Sequence, residues 1–344
     1  MSRPLPSTSS RRSRSPLSTT QRGFTLVEIL VVVAIIVILM AILIPVAMRA
    51  IAQARNAAIG VELSQLKTAL DEYKREHGDY PPSMDWDPGN SAMPWGTIPG
   101  NLAAQQAKWW DNSNSRPSAY AYASICERHL LRCYPKAIDK FKFYRSIAPL
   151  LEQDEALVFW LYMIANDPRE PFKNFVYNNS NVLVYAGGLQ PQLDMRDFPG
   201  SYPRFSHYGF DTRRLVDGDV DGIPGFQSLY SRETTYMYFD SRTYAFSQHP
   251  AYAARGVAQP FSDATTMAKP VPKFVNPDTF QILSSGQDGN YGLVTTAYSP
   301  NDIVNTFSYA QTKMFPTMVN CNEEDSDNMA DFTEGRRLID HRAP

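Results

Sequence analysis

The chain has 344 residues and a formal net charge of −2, so no global field of either sign marks it for nucleic acid. That length has room for one large domain or two. Its 26 prolines, 19 tyrosines and 18 phenylalanines suit a loop-rich, extracytoplasmic α+β head better than a compact helical bundle.

Residues 1–23 are polar and Ser-rich, with Arg3, Arg11, Arg12, Arg14 and Arg22 and no acid. Such a segment cannot bury a core, and the expectation is a disordered leader. Its arginines hold it on the cytoplasmic side, so the chain enters a membrane N-terminus inward and the remainder faces outward. An apolar run follows at once. From Phe24 to Ala47 it amounts to about 36 Å of helix, enough to cross a hydrocarbon core of about 30 Å. One carboxylate, Glu28, stands inside it. A carboxylate in a membrane helix costs a few kcal/mol and usually serves a partner. A Sec signal peptide has a shorter apolar region with a small-residue cleavage site behind it. Here an Arg-Gly-Phe junction precedes a longer run, and a plain anchor gains nothing from Glu28.

The stretch Arg22-Gly23-Phe24-Thr25-Leu26-Val27-Glu28-Ile29-Leu30-Val31 resembles the class III signal of type IV pilins and type II secretion pseudopilins. The resemblance implies that a prepilin peptidase and N-methyltransferase cuts between Gly23 and Phe24 and methylates Phe24. It implies that Glu28 aids registration by pairing with a neighbouring subunit's terminal amine, and that Pro45 matches the family's helix-kinking proline. The implied partners are identical or related pilin subunits and an inner-membrane assembly platform. The likeness covers roughly residues 22 to 82.

Beyond Met48 the helix continues. Ile59, Leu63, Leu66, Leu70 and Tyr73 recur at helical spacing as one stripe, with Arg55, Glu62, Lys67, Asp71 and Lys74 off it. The stripe is expected to pack on a sheet. Gly78 stops the helix and Pro81-Pro82 forbid its continuation. The exit Glu76-His77-Gly78-Asp79-Tyr80-Pro81-Pro82 resembles that of the major pseudopilin. The expected organisation is a leader over 1–23, an N-terminal helix over 24–78 spanning the membrane at about 24–47, and an extracytoplasmic head over 79–344.

Residues 83–118 read as a loop region in which Trp109-Trp110 is expected to anchor onto the core, with a sugar-binding platform the alternative. Residues 119 to about 166 turn helical, and Ala156 to Ile164, too short to span a membrane, reads as a buried helix. Val182–Tyr185, Thr235–Phe239 and Phe280–Leu283 are rich in β-branched and aromatic residues between turn formers, and suit an antiparallel sheet. The fold class is α+β: a long helix laid on a small antiparallel sheet, with helical and loop insertions. Cys126 and Cys133 lie too far apart to bridge if their segment is helical, and could bridge only across a loop. Cys321 is unpaired or pairs with one of them.

Two acidic stretches are candidate calcium sites. Asp217, Asp219 and Asp221 with Gly222 match the opening of an EF-hand loop, but Ser228 stands where the bidentate glutamate belongs. A solvated Asp-Gly turn is the alternative. The second is Gly286-Gln287-Asp288-Gly289-Asn290, with the later cluster Glu323-Glu324-Asp325-Ser326-Asp327. It resembles the C-terminal calcium loop of the major pseudopilin, which implies Ca²⁺ ligands among Asp288, Asn290, Asp325 and Asp327. A hairpin turn beside an acidic surface loop is the alternative. The five histidines are scattered, with no His-Glu-x-x-His spacing. No nucleophile elbow, phosphate loop or Cys-x-x-Cys occurs, so the reading is a structural subunit and not an enzyme. The expected function is assembly of a type II secretion pseudopilus. The alternatives are a type IV pilin for adhesion, motility or DNA uptake, and a membrane-tethered binding protein that never polymerises.

Overall fold

The computed structural model describes residues 24–83, 129–130, 132–136, 151–164, 169, 171, 175–177, 183–185, 207–217, 223–231, 234–244, 249–250, 255–266, 273–292 and 312–342. The leader, Trp109-Trp110, Cys126, Asp219 and Asp221 lie outside these residues, as do nearly all of the 83–118 loop and most of the helical region expected before residue 150. The chain divides into two compact units, Met1–Ala52 and Gln53–Pro344.

A single helix of 52 residues runs from Leu26 to His77. Its N-terminal stretch is apolar on every side, so it shows no stripe and its large side chains stand exposed. Pro45 lies inside the helix and removes one donor from the backbone ladder, leaving the Ala41 carbonyl without its usual partner. Beyond Gln53 the apolar residues regain a helical period. Ile59, Leu63, Leu66, Leu70 and Tyr73 are each at most 1% exposed, as the spacing predicts. The helix stops at Gly78, whose φ of +83° only glycine adopts without strain.

The exit from the helix is fastened carbonyl by carbonyl. Prolines 81 and 82 have no N–H to give, yet their carbonyls still need donors. Tyr238 Oη donates to Pro81 O at 2.7 Å, and Trp160 Nε1 donates to Pro82 O at 2.9 Å. Arg242 donates to Tyr80 O at 2.9 Å. The Gly-Asp-Tyr-Pro-Pro turn thereby places the helix end on the sheet and on the buried Ala156–Ile164 segment. That segment is one α-turn, Ala156–Val158, followed by a π-helical turn, Phe159–Met163. It is fully enclosed, as its composition predicts.

The head's sheet is three-stranded and antiparallel, with Phe280–Ser284 in the middle. Met237–Asp240 pairs along one edge, with Tyr238 opposite Ile282, and Met329–Ala330 along the other, with Ala330 opposite Leu283. Strand alternation divides the core in two. Tyr236, Tyr238, Phe280, Ile282 and Met329 face the helix stripe and the Ala156–Ile164 segment. Met237, Phe239, Leu283 and Ala330 face a second cluster with Phe261, Tyr291 and Leu338. The fold is α+β, the long helix packed against small antiparallel sheets. Phe175–Tyr177 and Leu183–Tyr185, the latter within the expected strand at 182–185, form a separate antiparallel pair.

One acid departs from the expected pattern. Glu62, placed by its spacing on the solvent side, is only 8% exposed. Its carboxylate takes two bonds from Arg214, at 2.6 and 2.8 Å, and a third from Tyr236 Oη. The helix is also approached closely by the chain near Gly335, where a Cβ on Gly60 would come within 2.5 Å of Gly335 Cα. Cys133 and Cys321 are free thiols.

Because the stripe, its sheet and the Glu62 pairing all fall within Gln53–Pro344, a chain starting at Gln53 is expected to fold as a soluble head. Limited proteolysis should spare Ile59 to Tyr73 while exposed loops are cut. Rapid cleavage inside that stretch would show that it does not dock.

Candidate functional site

The start of the long helix carries its own cap. Thr25 precedes the first helical residue and Glu28 is the third, the spacing of a capping box. The Glu28 N–H donates to Thr25 Oγ1 at 3.2 Å. In return Glu28 Oε2 accepts from Thr25 N at 2.8 Å and from Thr25 Oγ1 at 3.0 Å. Two of the helix's orphan donors are thus satisfied, and a negative charge sits at the positive end of the helix dipole. Glu28 Oε1 has no hydrogen bond among the described residues. The large apolar residues on either side of it are exposed: Phe24 is 78%, Leu26 81% and Leu43 60% exposed. This helix is long and apolar enough to cross a membrane.

At the C-terminal turn the structure separates the expected ligands into two groups. Asp325 belongs to an internal ion pair: Lys313 Nζ donates to Asp325 Oδ1 at 2.6 Å, and both side chains are buried. The same ammonium donates to Tyr291 O at 2.6 Å and Val257 O at 3.3 Å. A lysine thus already supplies positive charge to this cage of oxygens. Burial pushes the Asp325 carboxyl up, and the Lys313 ammonium and the Asn322 N–H oppose that shift.

Asp288 and Asp327 form the other group. Asp327 Oδ2 accepts from Gln287 N at 2.7 Å and Asp288 N at 3.1 Å. Its Oδ1 is buried and has no hydrogen-bond partner among the described residues. Partial burial pushes the Asp288 carboxyl up to about 6; the Asn290 N–H opposes this, and the neighbouring Asp327 adds to it. Gly286 makes the approach possible, because its φ is +65° and a Cβ there would meet Asp327 O at 2.4 Å. Asn290 Oδ1 is engaged with the Gly292 N–H at 3.1 Å. The donor set that fits a hard cation is therefore Asp288 with the orphaned oxygen of Asp327. Of the first acidic loop only Asp217 is among the described residues.

Sequence reading missed three partners: Thr25 for Glu28, Lys313 for Asp325, and the meeting of His77 with His207. The first was available as a Thr-x-x-Glu spacing. The other two join residues far apart in the chain, and nothing local announces them. Burial, with His207 nearby, pulls the His77 imidazole down to about 4. His207 is also lowered by burial, against the opposing charge of Glu76.

A helix with a self-capped acidic start, apolar all round and long enough to cross a membrane in its first part and amphipathic thereafter, is the N-terminal arrangement of a pilin-like protein. Residues 18–44 match the family described as the prokaryotic N-terminal methylation motif, the prepilin signal shared by type IV pilins and pseudopilins. The match ends within the apolar part of the helix, and the head is read from its own geometry. No curated protein and no solved structure matches the chain.

Proposed function

We propose that this chain is a structural subunit of a type II secretion pseudopilus, cut between Gly23 and Phe24 and N-methylated on Phe24. The observation that carries the reading is the exposed apolar stretch of the helix starting directly at the prepilin signal, with Glu28 the one acid of that stretch. Such a surface is covered by lipid before assembly and by the helices of neighbouring subunits after it. The subunit resides in the inner membrane by one pass and holds its head in the periplasm. An assembly platform in that membrane adds it to a growing filament, whose extension moves secreted protein outward. Pro45, by weakening one rung of the ladder, eases the bending that helix packing in a filament demands. The fastened Gly78–Pro82 exit and the carboxylate-bearing turn after the central strand support the pseudopilin assignment over a surface pilus.

Intact-mass measurement on the native protein tests the processing. The expected mass is that of a chain starting at Phe24 plus one methyl group. Gly23→Val should keep its leader, since a branched side chain does not fit where the peptidase accepts glycine. A Gly23→Val chain of unchanged processed mass would sink the assignment. Loss of secretion without loss of surface fibres in a deletion strain separates the pseudopilus from a type IV pilus.

The same reading includes a Ca²⁺ ion held by Asp288 and Asp327, with water completing its shell. A ligand that binds only the folded state stabilises it by about 2.7 kcal/mol at a hundredfold excess over Kd. The two carboxylates repel each other when both are charged, and a proton or Ca²⁺ relieves this. The folded-state pKa of Asp288 is raised to about 6, above its unfolded value, so without metal the pair favours folding more as pH falls through about 6. Calcium should therefore raise Tm most above pH 6 and progressively less toward pH 5. Asp288→Ala should abolish the response. Equal Tm values with Ca²⁺ and with EDTA at pH 7.5 would refute the site.

A further inference from the structure

We infer that Glu76, His77 and His207 form a binding site for a borderline divalent metal ion of the Zn²⁺ type at the end of the long helix. The site lies outside the signal, the apolar part of the long helix and the acidic turn, and does not depend on the assembly role. Glu76 and His77 are the last two residues of the helix, and Gly78 turns the chain away immediately behind them. His207 arrives from the segment that leads into the 3₁₀ turn Thr212–Arg214. One ligand atom from each residue lies within 4.8 Å of the other two.

His207 and Glu76 already face each other at ion-pair distance, a separation that an ion held between them would also fit. His207 Nε2 and Glu76 Oε2 are 3.7 Å apart, beyond a hydrogen bond of 2.7–3.2 Å. Two ligands about 2.1 Å from a tetrahedral ion sit roughly 3.4 Å from each other. Small side-chain rotations therefore suffice to close the site. The rings are already oriented by packing. The Tyr73 ring lies 4.3 Å from His77 and meets His207 edge-on at 5.4 Å, centroid to centroid. Tyr73 is itself fixed by the bond between its hydroxyl and His129 Nε2, at 2.9 Å.

The donor set chooses the ion. Two imidazole nitrogens and one carboxylate suit Zn²⁺, Co²⁺ or Ni²⁺, whereas Ca²⁺ and Mg²⁺ require oxygen. Glu76 is exposed, so the ion can enter from solvent and keep water in its fourth position. Once bound, it ties the chain at His207 to the helix terminus.

The test is titration of the full-length chain in detergent with Zn²⁺, and in parallel with Co²⁺ followed by its visible absorption. The expected result is one ion per chain, with Co²⁺ bands of a four- or five-coordinate site and no displacement by excess Ca²⁺. Glu76→Gln and His207→Asn should each weaken binding about tenfold or more. His341→Asn should bind as the parent does, because His341 Nε2 is occupied by Thr333 O at 2.9 Å. Glu76 is exposed, so its variant keeps the fold, and metal-free melting curves verify this. Absence of saturable uptake by the parent overturns the inference. So does uptake unchanged in both Glu76→Gln and His207→Asn.

Discussion

Glu62→Ala is expected to destabilise the head by about 3–5 kcal/mol, the cost of removing one partner from a buried charge pair. Arg214, mostly shielded from solvent, would be left with one remaining protein acceptor, Gln227 O, to which its Nε donates at 3.1 Å. Its guanidinium also lies 4.3 Å over the Phe226 ring, a contact that favours its present position. Tyr236 Oη, buried against the helix, would lose its acceptor as well. Arg214→Ala should cost a similar amount for the mirror reason. Glu62→Leu/Arg214→Met, which replaces both charges by apolar bulk, should recover much of the loss, since a buried pair against hydrophobic substitutes is often close to neutral. The measurement is urea unfolding of the Gln53–Pro344 head for both single variants and the double. A loss under about 1 kcal/mol for Glu62→Ala would place the pair among surface ion pairs.

The same residue shows where legibility in the sequence stops. The stripe from Ile59 to Tyr73 was readable because helical period and burial are local consequences of one another. The central strands were readable because β-branched and aromatic residues alternate between turn formers, and both faces of that sheet are buried. Glu62 could not be read, because its partners stand 152 and 174 positions away. An acid between two buried positions looks like any solvated one until tertiary contacts form. Lys313 is the same case: its segment carries no signal for a buried ammonium, and its cage is made by the Asp325 carboxylate with the carbonyls of Tyr291 and Val257. The π-helical turn at Phe159–Met163 was seen as helical and buried but not as π, since one inserted residue leaves the composition unchanged. At the N-terminus the cap is legible as Thr-x-x-Glu, a spacing that local sequence alone carries.

That geometry sharpens what Glu28 is expected to do in assembly. Glu28→Val should be inserted, cut at Gly23 and stable, yet form no filament. In the single subunit the carboxylate is partly compensated through Oε2 by Thr25, and it lies about one turn from the end of the apolar segment, close enough to reach the interface. In a filament the helices close around it. Under the proposed assembly, a neighbour's Phe24 amine at the remaining oxygen, Oε1, would offset the burial of both charges. Losing one side of such a pair costs about 3–5 kcal/mol. Assembly contacts in the micromolar-to-nanomolar range amount to roughly 8–12 kcal/mol, so a loss of that size shifts the equilibrium by more than a hundredfold. The cap and the charge are separable. Glu28→Gln keeps an acceptor able to complete the capping box but has no charge, and it should fail like Glu28→Val. Thr25→Val removes the cap and keeps the charge. It should cost about 1 kcal/mol of local helix stability and still assemble. Sedimentation of sheared filaments, with intact mass to show normal processing, reads all three variants. If Glu28→Gln assembles like the parent while Thr25→Val does not, the carboxylate serves its own helix, and registration between subunits comes from elsewhere in the apolar surface.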